Sequence, residues 1–432
     1  VHSQRGLAMA LDPETREHLI ATVRRFVREV LVPQEARVAD EDEIPESILR
    51  QMRELGLFGL SIPEEFGGLG LSMADEVGVI EEMGQTSPAF RSAFGTNVGI
   101  GSQGILIDGT SEQKARWLPA MASGEITASF CLTEPKAGSD AASVRTRAMR
   151  DGDHYVLTGT KRFITNAPRA GVFTVMARTG TIEEGARGVS AFVVEAGAPG
   201  LSLGPPDRKM GQRGAKTCDV IFDGVRVPAE NLIGGKEGQG FRTAMKVLDR
   251  GRLHISALSV GLAQRLIADA LAYATTRRQF GKPIAEFQLV QAMLADSRTE
   301  WLRRGPWCAR CAGLCHHAAP VWQAYRRVPA GPGDAGRQPH RMAAARAMVR
   351  DTAARMDAGE KISTDASCCK LFATEMVGRV ADRTVQIFGG AGYIADYGVE
   401  RFYRDVRLLR LYEGTSQIQQ IVIARDMIRA QG

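Results

Sequence analysis

Hydrophobic positions follow a helical period at both ends of the chain and a strand period between them. Leu19, Ile20, Val23, Phe26, Val27, Val30 and Leu31 recur at i, i+3, i+4 spacing. Asp12 and Pro13 supply a cap and an N1 proline before this run, and Pro33 is expected to stop it. Further helices are predicted over Pro45–Leu55, Met73–Met83 and Ser111–Ala122, with the Gly/Pro-rich SIPEEFGGLG separating the first two. From about Ile126 the period changes. HYVLTGTKRFIT, GVFTVMAR, GVSAFVVEAG and CDVIFDGVRV are short, rich in Val, Ile, Phe and Thr, and divided by Gly, Asp and Pro turns. They predict a small antiparallel β domain, a barrel or sandwich, inserted between helical halves. After Asn231 the helical period returns, and Phe241, Met245, Leu248, Ile255, Leu258, Leu262 and Leu266 keep one face over roughly seven turns, as a bundle helix does. Phe287–Leu302, Met342–Met356 and Ser363–Phe388 are its expected partners. The expected fold class is α+β multidomain: a helical N-terminal domain over 1–125, a middle antiparallel β domain over 126–236 and a C-terminal four-helix-bundle domain over 237–432.

One segment breaks the pattern. Arg303–Arg341 has five prolines, three cysteines, three histidines and no sustained period. It reads as an atypical insertion or as a shifted reading frame, in either case an exposed loop. Within it Cys308, Cys311, Cys315, His316 and His317 have the donor types of a zinc or iron–sulfur site, but no second ligand pair follows at finger-like spacing, so no metal is expected.

Composition narrows the functional classes. The 432 residues suffice for two or three domains, and a charge of +6 suits an anionic small ligand as well as nucleic acid. The basic residues are scattered without aromatic interleaving, so nucleic-acid binding is not expected. No apolar run approaches the roughly 20 residues that span a bilayer. The first ten residues carry no signal-peptide core, and a cytoplasmic protein with no membrane partner is expected. Seven cysteines, an odd number, do not form a disulfide framework.

The most informative stretch for chemistry is RLYEGTSQIQQ, Arg410–Gln420. Thr415 or Ser416 caps a terminal helix, Gly414 lets the backbone turn closely, and Glu413 sits just outside the helix start. A carboxylate so placed is either a rigidly held reactive group or an ordinary acid before a capped surface helix. Gly99–Gly104 (GIGSQG) formally matches a dinucleotide fingerprint, but without the strand and βαβ context it reads as helix or loop.

FCLTEPKAGSD (Phe130–Asp140), RFITNA (Arg162–Ala167), LDRGR (Leu248–Arg252), TTRRQFGKPIAEFQ (Thr275–Gln288), QIFGGAGY (Gln386–Tyr393) and YEGTSQIQ (Tyr412–Gln419) occur in the order and spacing of one family. In these stretches the chain resembles the acyl-CoA dehydrogenases over nearly its whole length. The resemblance implies non-covalent FAD and oxidation of the Cα–Cβ bond of an acyl-CoA thioester to the trans-2-enoyl-CoA. It also implies an electron-transferring flavoprotein as acceptor and a homotetramer working in β-oxidation of fatty acids.

By the same resemblance Glu413 is the base that takes the α-proton while the β-hydride goes to flavin N5. A carboxylate desolvated between flavin and acyl chain has a raised pKa, nearer the working pH. The enolate oxygen is held by a ribityl hydroxyl and the base's own N–H, beside Gly414. Phe130, Leu132, Thr133 and Ser139 map to one edge of the isoalloxazine, Thr165 to the neighbourhood of N5 and Phe163 to the ring, where the commoner residue is Trp. Phe keeps the stacking surface and loses an N–H. Arg277, Phe280 and Gln288 map to residues that hold a neighbouring subunit's FAD, Gln386, Gly389 and Gly390 to the loop they meet, and Thr415 and Gln417 complete that set.

Asp249 and Arg252 map to contacts with the CoA moiety, with a helix-face salt bridge as the plainer reading. Ser139, Gly414 and Tyr412 join them as substrate contacts. Some branches place the base at the position of Gly251, which cannot serve here. Arg91 falls where glutaryl-CoA dehydrogenases carry an arginine for the substrate's distal carboxylate, and otherwise reads as a partner of Glu81 or Glu82. The alternatives on the same fold are a decarboxylating glutaryl-CoA-type enzyme, an oxidase, a sulfinoacyl-CoA desulfinase, or a non-catalytic FAD- and acyl-CoA-binding scaffold.

Overall fold

The structure, a computed structural model, describes residues 10–299 and 341–430. The cysteine–histidine cluster and all of the aperiodic segment except Arg341 lie outside them.

The N-terminal part is helical: α1 (Pro13–Phe26), α2 (Glu35–Glu41), α3 (Glu46–Glu54), α4 (Met73–Met83), α5 (Pro88–Thr96), α6 (Gln103–Asp108) and α7 (Ser111–Ser123). Asp12 caps α1 by accepting from the N–H of Glu14 and Thr15, both at 3.0 Å. The run does not end sharply at Pro33; a π turn (Val27–Leu31) and a 3-10 turn (Val32–Gln34) carry it into α2. Gly99–Gly104 is a helical crossing made of the π turn Asn97–Gly101 and the start of α6, not a phosphate loop.

The middle part holds β1 (Ala128–Cys131), β2 (Arg147–Asp151), β3 (His154–Thr165), β4 (Val172–Arg178), β5 (Val189–Glu195), β6 (Leu201–Leu203) and β7 (Thr217–Pro228) in one seven-stranded sheet. The order is β1-β4-β2-β3-β7-β6, with β5 on β4. The β2–β3, β3–β7, β4–β5 and β6–β7 ladders are antiparallel as expected, but β1 and β2 both pair parallel with β4. The purely antiparallel expectation is corrected there. The β2–β3 hairpin intervenes before β4, which therefore returns along β1 in the same direction. The alternation pattern missed β1 and β6 because they are short and β2 because it is polar and exposed.

The C-terminal part has α8 (Gly240–Thr276), a small hairpin of β8 (Arg278–Gln279) and β9 (Lys282–Pro283), α9 (Gln288–Thr299), α10 (Arg341–Asp357), α11 (Ser363–Phe388), α12 (Val399–Arg407) and α13 (Ser416–Arg429). α8 is long and apolar enough to cross a membrane, but 61% of its most apolar stretch is buried inside the protein. It runs through the main core, where Leu253, Ile255, Leu258, Leu262 and Leu266 meet Ile80 and Met83 of α4 and Ala373, Met376 and Val380 of α11. A separate core lies within the sheet, around Tyr155, Phe173, Phe192 and Phe222.

The loop between β6 and β7 ties the three parts together. Gly214 N–H donates to Asp42 Oδ1 at 2.6 Å, while Lys216 and Arg169 both pair with Glu43. On the other side Gln212 N–H donates to the Asp405 carboxylate of α12, and Gln212 Nε2 to the Asp405 carbonyl at 3.3 Å.

Candidate active site

Glu413 lies between α12 and α13 in the left-handed region, φ 52°, and Gly414 follows at φ 90°. Two successive positive-φ residues make a sharp turn, and a carboxylate-bearing residue held there is strained in the way functional sites often are. Thr415 caps α13, its Oγ1 accepting from Ile418 N–H at 3.2 Å, which decides between the two candidate caps; Ser416 instead donates to Glu375 at 2.7 Å. Two groups clamp the carbonyls of the turn. Lys370 Nζ donates to Gly414 O at 2.7 Å, and Gln419 Nε2 donates to Gly414 O at 3.0 Å and to Glu413 O at 3.2 Å.

The residue as a whole is only half-buried, but its carboxylate is deep: Oε2 has no solvent access and no hydrogen-bond partner among the described residues. Burial raises the Glu413 pKa, and the charges of Arg91, Lys370 and Arg252 oppose that rise. The carboxylate rests against Gly251 of α8, and a Cβ built there would fall on Oε2. Gly251→Ala is therefore expected to displace the carboxylate and slow the proton transfer roughly 10- to 100-fold. The fold should not suffer, because Ala is about 1 kcal/mol better than Gly inside a helix. Flavin-reduction rate and melting temperature measured together check this; an unchanged rate refutes the contact.

Arg91, in α5, is 4% exposed and does not pair with Glu81 or Glu82. Glu81 is taken by Gln264, Arg346 and Arg350, and Glu82 by Arg24. Arg91 Nη2 meets His254 Nδ1 at 3.2 Å, His254 Nε2 meets Glu76 Oε2 at 2.8 Å, and Arg250 pairs with Glu76 Oε1. Because a guanidinium can only donate, Nδ1 must accept, so the proton sits on Nε2 and His254 is neutral. Burial, then Arg91 and Arg250, hold its pKa well below the usual histidine value. Glu76 offsets Arg250, which leaves Arg91 as a buried cation; its Nε has no partner, and no carboxylate among the described residues is within ion-pair distance.

Asp249 and Arg252 form the salt bridge their spacing allows, Nη1 to Oδ1 at 2.6 Å, and Ser363 donates to Asp249 Oδ2 at 2.5 Å. Arg252 also faces Ser367 at 3.4 Å. Tyr412 is half-buried, and its sequestered hydroxyl has no hydrogen-bond partner among the described residues.

The mapped flavin edge adjoins α5. Asn166 Nδ2 donates to Ser92 O and Thr96 Oγ1, both at 2.7 Å, so the strand end carrying Phe163 and Thr165 is fixed one residue from Arg91. Ser129 Oγ donates to Thr165 O at 2.7 Å, and Arg162 N–H to Thr133 O at 2.8 Å, which sets Phe130, Leu132 and Thr133 beside Phe163 and Thr165. A register shift between Lys161 and Ile164 leaves Phe163 at φ 59° and 58% exposed. A bulge that turns an aromatic outward provides a surface for a flat ring. Ser139 is exposed further along the same loop. A cavity of about 360 Å³ lined by Glu46, Arg53, Asn166 and Arg169 includes neither Glu413 nor Arg91.

Arg277, Phe280, Gln288, Gln386, Gly389 and Gly390 are all exposed, and Tyr273 stacks on Phe388 at 4.0 Å, joining the ends of α8 and α11 that carry them. They are not brought to Glu413. Gly251 and Arg277 are 26 residues apart along α8, roughly 39 Å at the helical rise. Gln417 is exposed on the first turn of α13. Sequence reasoning missed Lys370, His254 and Glu76. Each is a charged or polar residue on an otherwise apolar buried face, Lys370 between Ala366 and Ala373 and His254 between Leu253 and Ile255, and that misfit was the available signal.

Residues 13–125, 129–225 and 238–328 with 336–428 match the acyl-CoA dehydrogenase N-terminal, middle and C-terminal domains. The chain belongs to the acyl-CoA dehydrogenase family. Of the aperiodic stretch, only 329–335 falls outside the match. The chain is 37% identical over 407 residues to a probable acyl-CoA dehydrogenase of Bacillus subtilis, covering 94% of this chain and 96% of the relative. Butyryl-CoA dehydrogenase from Megasphaera elsdenii superposes with a TM-score of 0.83 at 29% identity, over 97% of this chain and 100% of that one. A glutaryl-CoA dehydrogenase in complex with glutaryl-CoA does so with a TM-score of 0.83 at 33% identity, over 97% and 96%. The family is FAD-dependent, and the outward Phe163, the flanking loop and the unpartnered Glu413 and Arg91 atoms fit a flavin and an acyl chain between them. This chain is an FAD-dependent oxidoreductase.

Proposed function

We propose that the chain dehydrogenates the Cα–Cβ bond of an acyl-CoA thioester, with Glu413 taking the α-proton. The observation that carries this reading is the buried, unpartnered Glu413 Oε2 on a clamped turn. A desolvated carboxylate with a raised pKa is matched to abstracting a weakly acidic proton. The Glu413 N–H has no acceptor among the described residues and is free for the thioester oxygen. Phe130, Leu132, Thr133, Ser139, Phe163 and Thr165 would hold FAD, which supplies the hydride acceptor when bound. Asp249 and Arg252 would meet the CoA moiety, their salt bridge notwithstanding.

Arg277, Phe280, Gln288, Gln386, Gly389 and Gly390 would serve a second copy's FAD, since they gather at the end of α8 roughly 39 Å along the helix from Gly251 and Glu413; Gln417, on the first turn of α13, would join that set only by the resemblance. A homotetramer would supply that second copy, and electrons would leave to an electron-transferring flavoprotein in fatty-acid β-oxidation. Sedimentation as a 46.8 kDa monomer that nevertheless reduces its flavin at full rate would refute the shared site.

A second reading concerns the acyl tail. Buried Arg91 meets a neutral histidine and makes no ion pair among the described residues, so an apolar tail would leave its charge without a direct partner. A distal carboxylate would pair with it, as a decarboxylating enzyme of the glutaryl-CoA type requires. Anaerobic titration of the FAD-loaded protein with butyryl-, octanoyl- and glutaryl-CoA separates these. Flavin bleaching by glutaryl-CoA, lost by roughly 100-fold in Arg91→Met, supports the anionic tail, and CO₂ release identifies the decarboxylating class. Bleaching by the apolar thioesters alone rejects it. Binding without bleaching by any thioester sinks the dehydrogenase reading and favours the desulfinase or scaffold.

A further inference from the structure

Lys370 is fully buried on α11, and no carboxylate among the described residues lies within ion-pair distance of its ammonium. The acid one turn along, Glu375, is taken by Arg410 at 3.2 Å and Ser416 at 2.7 Å. The hydrogen bond Lys370 makes goes to the carbonyl of Gly414. A buried cation without a direct counter-ion is destabilising unless something nearby answers its charge. The groups facing it are Glu413 from the turn, Glu375 from its own helix and Arg252 from α8, and only Glu413 is a carboxylate not already engaged.

We propose that Lys370 is a positioning residue for Glu413: it locks the Gly414 carbonyl, and so the left-handed turn, and its charge keeps the buried carboxylate ionised. The inference rests on the reading of Glu413 as the base. Holding the Gly414 carbonyl inward fixes both the direction of the carboxylate and the free Glu413 N–H, so one side chain serves the proton acceptor and the oxyanion contact together. Gln419 grips the same carbonyls but carries no charge. Burial brings the Lys370 pKa down to about 8, against the pull of Glu413, so the lysine becomes neutral on the alkaline side. A neutral amine makes a weaker bond than an ammonium.

The test uses FAD-loaded wild type, Lys370→Met and Lys370→Arg, with flavin reduction by saturating acyl-CoA followed from about pH 5.5 to about pH 10. Lys370→Met is expected to retain FAD and to reduce it about 10- to 100-fold more slowly. Its acid limb moves to higher pH, because Glu413 ionises less readily without the cation, and its alkaline fall disappears. Lys370→Arg recovers the acid limb and carries the alkaline fall upward. Rates within about twofold of wild type with both limbs unmoved overturn the proposal. If Lys370→Met loses FAD, Lys370→Arg decides: an alkaline limb that stays in place overturns it, and one that moves up supports it. A wild-type protein that no acyl-CoA reduces sinks the base assignment and this inference with it. A wild-type protein that is reduced while the limbs ignore Lys370 sinks this inference alone.

Discussion

Glu413→Gln is expected to bind FAD and acyl-CoA and to lose roughly 10²- to 10⁴-fold in the rate of flavin reduction. The amide fills the same space on the left-handed turn but cannot accept the α-proton. Its effect on stability should run the other way, because the wild-type carboxylate is buried with Oε2 unpartnered, and removing that charge relieves the burial that raises its pKa. The sign of the pH dependence follows. Since the folded pKa lies above the ordinary 4.5, the wild-type rate climbs with pH as Glu413 ionises, and this limb is absent in the variant. Stopped-flow bleaching across pH, paired with thermal melts, checks both halves. Bleaching at a wild-type rate would falsify the assignment of the base.

Lys161→Met should lower the melting temperature by roughly 3–6 °C, from breaking a buried ion pair worth about 3–5 kcal/mol when one partner is lost. Lys161 is fully buried, pairs with Glu134 at 2.8 Å and donates to the Leu132 carbonyl at 3.1 Å. Glu134 also accepts from the N–H of Arg145 at 2.6 Å and Thr146 at 2.9 Å. The pair thus fixes the loop that carries Leu132 and Thr133, and weaker FAD retention should accompany the lower melting temperature. Although burial works to raise it, the Glu134 pKa ends up lowered by Lys161 and its hydrogen bonds. A lowered carboxylate stabilises the fold above its ordinary 4.5 and loses that contribution as pH falls through the folded value. In Lys161→Met the acid-side loss should therefore be shallower. Calorimetry at several pH values, with the FAD-to-protein ratio, measures this, and a melting temperature unchanged at neutral pH refutes it.

The α, β, α order was legible because the period of apolar residues is a local property, and α8 and α11 were readable nearly end to end. The Glu413–Gly414 turn and a cap at Thr415 or Ser416 were legible for the same reason: a turn and a cap are written in consecutive residues. The parallel pairing of β1 and β4 was not, because register depends on where a chain returns and not on its alternation. The Arg91–His254–Glu76–Arg250 chain escaped notice because its contacts join α4, α5 and α8; His254 and Glu76 are 178 residues apart in sequence. Lys370 meets the carbonyl of a residue 44 positions away. The plainer partners expected for Arg91, Glu81 and Glu82, turned out to be engaged with other cations, which no spacing rule could foresee.

The loop at Gln212–Lys216 gives the molecule a mechanical character. It is bonded to Asp42 and Glu43 on one side and to Asp405 on the other, so the β layer works as a keystone between the two helical parts. Swinging those parts open like a hinge would break several partly or fully buried bonds at about 1–3 kcal/mol each. The three parts are therefore cross-tied at this loop, and parting them costs those bonds.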